Sequence, residues 1–500
     1  MRELNPSRRA VLKKLASMSV IGALTALRSG ALFAGEPPPA RQPKLIPKFK
    51  GKIVGRQDPD YELWRQAMVW HASKPDRHPD LIVQARSAAD VAEAVRYAAR
   101  NKLKVAVRSG GHSATGASLR DGGMCIDLSA LGSIEIDETN RIASIGPGVR
   151  SLGLIRTAGE RGLCFPGPHC PSVGLGGFLM GGGIGWNYSH RGGMSTLSID
   201  SAQVVTADGK IVEASARQNP DLLWAIRGAG PGFFGVVTRF DISLYPAPKA
   251  IVCSSYIHPL DGVATVTAAL EQLTTAKDSR VEVLALFIHS PDAPPDAPPE
   301  QAKVCFVSAF AFADTEAEAR TMLEPFAASD LAAKALARED NQVFDFTGLY
   351  FKYFGPEAIG GRLARYACDS IITDQADRAM LALVDHFRKA PSRSTHVLAA
   401  YSLNLEARAD ACLSSIAKHY VGCFSVWDEE KDDDANHQWL DQTLPFMDPY
   451  ARGHYINEVA AQRHPERIEA CFSPANWQRL QELRRQYDPE GVFHAHLGQS

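Results

Sequence analysis

The sequence predicts an α+β architecture: two α/β subdomains in the first half, then a lobe in which an antiparallel sheet is backed by helices. Three observations predict it. The 500 residues exceed what one hydrophobic core serves, and a hydrophobic content of 45% fills more than one. A strand, helix, strand unit opens near residue 80. Beyond about Ala250 the pattern changes to alternating strands interrupted by the proline-rich loop Ser290 to Pro299.

At the N-terminus, Ser7-Arg8-Arg9-Ala10-Val11-Leu12-Lys13 is a twin-arginine pattern followed by a moderately apolar stretch from Leu15 to Ala34. Residues 1–34 are therefore expected to be an export signal, and the mature protein periplasmic or secreted. Arg28 interrupts the apolar run, so no stable membrane span is expected after cleavage. Ser29, Ala31 and Ala34 leave the cleavage site open. Residues 35–55 read as a linker rich in proline and lysine, with order beginning near Arg56.

Leu81-Ile82-Val83 predicts a strand. A helix follows, opened by Ser87 and Asp90, with Val91, Ala94, Val95 and Ala98 at helical spacing, and then the strand Val105-Ala106-Val107. Further strands are expected at Met124 to Asp127 and Ile142 to Ile145, with a helix at Leu152 to Gly162. Strands Ser201 to Thr206 and Lys210 to Glu213 flank Asp208-Gly209, a hairpin turn. These elements make a domain of residues 56–248. The second lobe, 249–460, carries strands at Val281 to Ile288, Lys303 to Phe312, Ser394 to Leu405 and Val421 to Trp427, and a helix at Thr315 to Ala327. The acidic run Asp428 to Asp434 is expected as a solvated loop. A helix at Ser473 to Gln486 and the tail, within 461–500, are expected to return to the first domain.

A formal net charge of -2 gives no basic field for nucleic acid or an anionic membrane surface, so neither partner is expected. Nine cysteines are too scattered for a disulfide framework, and no pair has zinc-site spacing; no metal site is read. An oxidising compartment leaves the pairing of some open, and the sequence carries no signal for oligomeric state. A nicotinamide-type Rossmann enzyme is a distant second fold, because no early G-x-G-x-x-G with an acidic residue about twenty positions on is present.

Two segments carry the chemistry: Arg108-Ser109-Gly110-Gly111-His112-Ser113, and Cys170-Pro171-Ser172-Val173-Gly174-Leu175-Gly176-Gly177 running into Gly181-Gly182-Gly183-Ile184-Gly185. Each sets one nucleophile beside a glycine-dense backbone, whose N–H groups approach an anionic pyrophosphate without a Cβ in the way. With Ile126-Asp127-Leu128-Ser129, Gly146-Pro147-Gly148 and Tyr487-Asp488-Pro489-Glu490-Gly491-Val492-Phe493, they resemble, in order, the motifs of the berberine-bridge-enzyme-like branch of the PCMH-type FAD-binding oxidoreductases (the vanillyl-alcohol-oxidase superfamily). The resemblance runs from roughly residue 60 to the C-terminus.

It implies a PCMH-type FAD-binding domain and an FAD bonded twice, through His112 at the flavin 8α-methyl and through Cys170 at C6. It also implies cofactor contacts from Arg108, Ser109, Gly110, Gly111, Ser113, Val173, Gly174, Gly176, Gly177, Gly181, Gly182 and Gly185. The stretch that closes the family's flavin domain adds Gly235 and Val236, although Phe233-Phe234 stands where the family more often carries a polar residue. His112 needs a neutral imidazole to attack. Cys170 needs thiolate character, which backbone dipoles of a glycine nest would promote. His169 is adjacent, and its role stays open.

Tyr455-Ile456-Asn457-Glu458 resembles a family segment often reading Tyr-x-Asn-Tyr, whose last tyrosine is a catalytic base in many members. Here Glu458 takes that place, and a carboxylate partly buried over an apolar ring would have a raised pKa and serve as base near neutral pH. Tyr455 and Asn457 are expected to hydrogen-bond near the ring or substrate. Val173 occupies the family position governing oxygen access, where valine favours an oxidase. The expected function is oxidation of a C–H bearing a hydroxyl or amine, on an oligosaccharide or aromatic natural product, with O2 reduced to hydrogen peroxide. The alternative is a dehydrogenase passing electrons to a quinone or another acceptor.

Overall fold

The structure is a computed structural model that describes residue 46 and residues 48–499, apart from 188–189, 192, 276, 291–292, 295–296, 298–301, 347, 350–363 and 404–406. The export signal read at 1–34, residues 35–45 of the linker and part of the Ser290 to Pro299 loop lie outside the described residues.

The first sheet runs in the order Lys52–Gly55, Leu81–Gln84, Met124–Asp127, Val105–Arg108. Its last three strands are parallel, and Lys52–Gly55 joins antiparallel, so order begins one strand before the expected Arg56. Helix Ala88–Arg100 is the crossover. Ser87 caps it, its side chain accepting the Asp90 N–H at 3.1 Å, and Val91, Ala94, Val95 and Ala98 are buried. Parallel pairing places the chain after Arg108 and after Asp127 on one edge, where α/β folds bind ligands. A buried ion pair at 3.0 Å between Arg108 Nη1 and Asp127 Oδ1 ties the two strand ends.

Five antiparallel strands form the second sheet, in the order Ile134–Asp137, Ile142–Ile145, Val236–Ser243, Ile199–Val205, Ile211–Ser215. The Asp208-Gly209 hairpin forms as expected, with Gly209 at φ +74°.

The third sheet has seven antiparallel strands: Ala337–Phe344, Ala250–Pro259, Lys303–Ala313, Val281–His289, His396–Tyr401, His419–Trp427, Arg365–Thr373. Helices Val263–Thr275, Glu316–Ala327, Ala376–Arg388 and Asp433–Met447 cover one face through Val266, Leu270, Leu323, Leu383 and Trp439. The other face joins the core of the first half. Along His419–Trp427, Val421 and Cys423 pack under the helices, whereas Tyr420, Phe424 and Val426 pack with Phe178 and Tyr455. Burial on both faces explains why every residue of this strand is buried.

The acidic run corrects the sequence expectation. Its end starts helix Asp433–Met447, where acidic side chains suit the dipole. Asp433 accepts from Arg365 Nη2 at 2.6 Å and from Trp427 Nε1 at 2.6 Å, so it is a structural partner and not solvated loop. After helix Pro474–Tyr487 the tail returns to the first sheet: Val105 N–H donates to the Val492 carbonyl at 2.7 Å, and His494 N–H to the Val105 carbonyl at 2.9 Å. All nine cysteines are buried and unpaired. Among the described residues, no helix is long and apolar enough to cross a membrane.

Candidate active site

A cavity of about 360 Å³ is walled by the ends of the first two sheets and by the inner face of the third. The His112 and Cys170 loops form one side; Tyr366, Cys368, His396, Leu398 and Phe424 form the opposite side, with Tyr455 to Val459 between them.

The two loops cross where Gly110 meets Gly174. A Cβ on Gly174 would stand 2.5 Å from the Gly110 Cα, so both glycines are required by backbone against backbone. Gly111 has φ +70° and no room for a side chain beside the Met68 carbonyl. A Cβ on Gly176 would meet Ser109 Oγ at 2.6 Å, and that hydroxyl donates to the Pro147 carbonyl at 2.5 Å. Gly177 differs: it lines the cavity, and a Cβ there would meet no described atom within 4 Å beyond its own chain neighbours and helix backbone.

Other residues assigned through the resemblance take different places. Arg108 lines the cavity but spends its guanidinium on Asp127 and on the carbonyls of Ala67 and Gly110, bracing the loop. Ser113 is on the wall, its Oγ 3.0 Å from Thr115 Oγ1. Gly181, Gly182 and Gly185 lie off the wall, packed against Asn457, Met194 and the Pro166 carbonyl. Val236 is turned into the core of the first sheet, and its neighbours Gly235 and Val237 line the cavity instead. Phe233 also lines it, whereas Phe234 stacks on Tyr487 at 5.8 Å.

His112 and Cys170 meet through one hydroxyl. Ser172 Oγ lies 2.9 Å from His112 Nε2 and 3.2 Å from Cys170 Sγ. Trp70 stacks on the imidazole, centroids 4.3 Å apart at 11°, and its Nε1 donates to the His112 carbonyl at 3.0 Å. Burial, reinforced by Arg150, His71 and Arg108, holds the imidazole down at about 3, so it is neutral in ordinary buffers. The expectation for Cys170 needs correction. Burial pushes its thiol up, and the groups opposing that are the Ser172 hydroxyl and the N–H groups of Ser172 and Val173, not the glycine run. His169 is held elsewhere: its Nε2 is 2.7 Å from the buried Glu282 carboxylate, which ties this loop to strand Val281–His289.

Glu458 ends the short turn Ile456–Glu458, and its carboxylate accepts a hydrogen bond from the buried Tyr420 phenol. Burial raises it to about 7, opposed by that hydrogen bond and by the nearby His169. Tyr455 Oη accepts from the Gly183 N–H at 3.1 Å and from Asn457 Nδ2 at 3.0 Å. The same Nδ2 donates to the Phe178 carbonyl at 3.3 Å, so Tyr455 and Asn457 brace the glycine turn while lining the cavity.

No motif marks Tyr420, Tyr366, Cys368 or Trp70. One signal could have found Tyr420, the glycine two residues on: a Cβ on Gly422 would stand 2.0 Å from Tyr420 Oη, so Gly422 makes room for the phenol. Gly422→Ala is expected to push the phenol off Glu458. Loss of a hydrogen bond that favours the carboxylate raises the Glu458 pKa, so the pH limb of flavin reduction should move by about one unit to the alkaline side. Rapid-mixing reduction rates between pH 6 and 9 check this.

At its other end the cavity is basic. Arg120 and His494 line it, and His494 Nε2 is buried with no hydrogen-bond partner among the described residues, amid Arg120, Lys104 and Arg484. Behind that wall, Nε and Nη1 of Arg77 have no hydrogen-bond partner among the described residues. A basic end lined by Arg120 and His494, an open glycine wall at Gly177 and two nucleophiles fit an elongated anionic dinucleotide with an electrophilic ring. That combination defines a flavin-binding oxidoreductase.

A family model described as FAD binding domain matches residues 79–215, and one described as berberine and berberine like matches 454–498. The FAD-linked oxidoreductase janO of Penicillium janthinellum is 28% identical over 436 residues, covering 86% of this chain and 93% of that protein. The (R)-6-hydroxynicotine oxidase of Paenarthrobacter nicotinovorans is 36% identical over 228 residues, 46% of this chain and 48% of its own length. The crystal structure of 6-hydroxy-D-nicotine oxidase from Arthrobacter nicotinovorans shares the fold, with a TM-score of 0.77 at 22% identity, covering 92% of this chain and 99% of that one. This chain thus carries an FAD-binding domain and a berberine-like C-terminal segment, and over most of its length it is similar to FAD-linked oxidoreductases.

Proposed function

We propose that this protein is an exported FAD-linked oxidase that removes hydride from a carbon bearing a hydroxyl or amine, with His112 and Cys170 as covalent anchors and dioxygen as electron acceptor. One observation carries the reading: on the wall of a single cavity, two nucleophiles share the Ser172 hydroxyl, and a half-buried carboxylate is pushed up to about 7. When bound, the flavin supplies a two-electron acceptor, and the protein supplies orientation and a base. Glu458, once ionised, takes the proton from the substrate oxygen or nitrogen. Tyr420 fixes the carboxylate orientation. The cap side offers Tyr366, Leu398 and Phe424, with His396 stacked flat on Phe424 at 4.8 Å. Such a wall favours an aromatic substrate over an oligosaccharide, because planar rings gain from offset and edge-on contacts. Val173 on the cavity wall supports access for dioxygen, and the Ser7-Arg8-Arg9 pattern supports twin-arginine export of a chain already loaded with FAD.

Purified protein, denatured in acid, should give a yellow pellet, and native protein should form peroxide from dioxygen as fast as it reduces artificial acceptors. His112→Ala and Cys170→Ala should each leave one bond, and the double variant none. A colourless pellet with all the dinucleotide in the supernatant overturns the anchoring. Turnover with acceptors but not with dioxygen makes the protein a dehydrogenase.

A further inference from the structure

We propose that Ser172 is a positioning and proton-relay residue for cofactor attachment, setting both nucleophiles into their reactive protonation states through one hydroxyl. The proposal rests on the reading of His112 and Cys170 as anchors.

Ser172 Oγ is within hydrogen-bond distance of His112 Nε2 and of Cys170 Sγ, at 2.9 Å and 3.2 Å, and it carries a single hydrogen. In one polarity Nε2–H donates to Oγ and the hydroxyl donates to sulfur. The imidazole proton then sits on Nε2, the lone pair is on Nδ1, and the hydroxyl proton stabilises a thiolate. In the reverse polarity the thiol donates to Oγ and the hydroxyl donates to Nε2. The imidazole proton then sits on Nδ1 and the sulfur keeps its own, so both groups are unreactive. A single hydroxyl orientation therefore activates or silences the two together.

Three features favour the reactive polarity. Among the described residues Nδ1 has no hydrogen-bond partner, whereas Nε2 is held. Trp70, stacked on the ring, and its bond to the His112 carbonyl restrict the imidazole to the orientation that offers Nε2 to Ser172. Arg150 Nη1 donates to the Ser172 carbonyl at 2.8 Å, which fixes the backbone beneath the hydroxyl. The same hydroxyl is the first group opposing the upward push of burial on the Cys170 thiol. At His112 the new bond forms at Nδ1 and the proton lost is the one on Nε2; at Cys170 the bond forms at sulfur and the thiol proton is lost; each bond also replaces one hydrogen of the flavin. The two electrons and two protons pass to dioxygen, giving hydrogen peroxide.

The test uses the full chain from flavin-limited cultures, supplied with FAD in air, as wild type, Ser172→Ala and Ser172→Thr. Peptide mass mapping after denaturation reads occupancy at His112 and at Cys170 separately against time and pH, and melting temperature reports folding. Ser172→Ala should attach about tenfold more slowly at both positions at pH 7, and the Cys170 rate should recover when pH is raised by about one unit, as a lost thiolate partner requires. Ser172→Thr, which keeps the hydroxyl, should attach like wild type. Wild-type rates at both positions in Ser172→Ala, or equal loss in the alanine and threonine variants, overturn the relay. If the alanine variant melts early, its pH recovery still decides, because a misfolded loop would not regain attachment at higher pH. No covalent flavin in wild type overturns the anchoring reading itself, and the relay with it.

Discussion

Glu458→Gln is expected to slow flavin reduction by substrate about 10²–10⁴-fold, the usual worth of a positioned general base, while leaving flavin attachment at wild-type level. The variant should also melt higher than wild type above pH 7. Glu458 titrates at about 7 in the folded protein against an ordinary 4.5. Its charged form is therefore penalised only when folded. Below pH 4.5 the group is neutral in both states and costs nothing. Between 4.5 and 7 the unfolded chain releases the proton and the folded one keeps it, so stability falls as pH rises; above 7 the loss is complete. Glutamine mimics the neutral acid and can still accept from Tyr420. Its advantage should be near zero at pH 4.5 and on the order of 2 kcal/mol at pH 8, after discounting for the part of the group open to the cavity. Anaerobic rapid mixing and paired melts at the two pH values test both halves. Unchanged reduction would remove Glu458 from the chemistry, and equal melting at both pH values would remove it from a buried environment.

Much of this site is legible in the sequence because its first half is local. His112 and Cys170 sit in short glycine motifs whose backbone geometry is written in adjacent residues. Glu458 stands out because it departs from a tyrosine pattern. The remainder depends on contacts between distant parts of the chain. Tyr420 and Glu458 are 38 residues apart, and Tyr420 lies on a strand buried on both faces. Such a strand reads as a continuous apolar run, with no alternation to say which residues face the cavity. Strand Arg365–Thr373, which presents Tyr366 and Cys368, is hidden further by the buried charge of Asp369 at its centre. The glycines show a second limit. A glycine that admits a ligand, such as Gly177, and one that admits another backbone, such as Gly174, give the same sequence signal. Only the crossing of the loops separates them, and for the same reason Gly181, Gly182 and Gly185 read as cofactor contacts although they pack against protein.

That buried charge makes Arg467→Leu the other large effect. Asp369 is fully buried; its Oδ1 pairs with Arg467 Nη2 at 2.8 Å and its Oδ2 accepts the Ala460 N–H at 2.9 Å. Two residues before Ala460, the Glu458 carbonyl accepts from Ser370 Oγ at 3.1 Å, so strand Arg365–Thr373 holds the turn that carries the proposed base. Even with Arg467 in place, burial outweighs the guanidinium and leaves the Asp369 pKa above its ordinary value. Desolvation already exceeds the pairing gain, and removing the cation strands a carboxylate in the core. The expected cost is about 3–5 kcal/mol at pH 7. Losing the cation raises the folded Asp369 pKa further, so the cost relative to wild type is complete above the variant's folded value, shrinks as pH falls, and vanishes below the wild type's own raised value, where both folded proteins hold Asp369 neutral. Asp369→Asn in the Arg467→Leu background removes the stranded charge and should restore part of the stability, giving a favourable coupling in the double-mutant cycle. Flavin attachment, set by loops on the other side of the cavity, should persist in both variants, whereas reduction by substrate should slow as the Glu458 turn loosens. Denaturant midpoints at pH 4 and 7 decide the matter: a pH-independent loss would mean that Arg467 serves through packing and its 2.8 Å pair with Asp448, and that Asp369 is neutral in the folded protein.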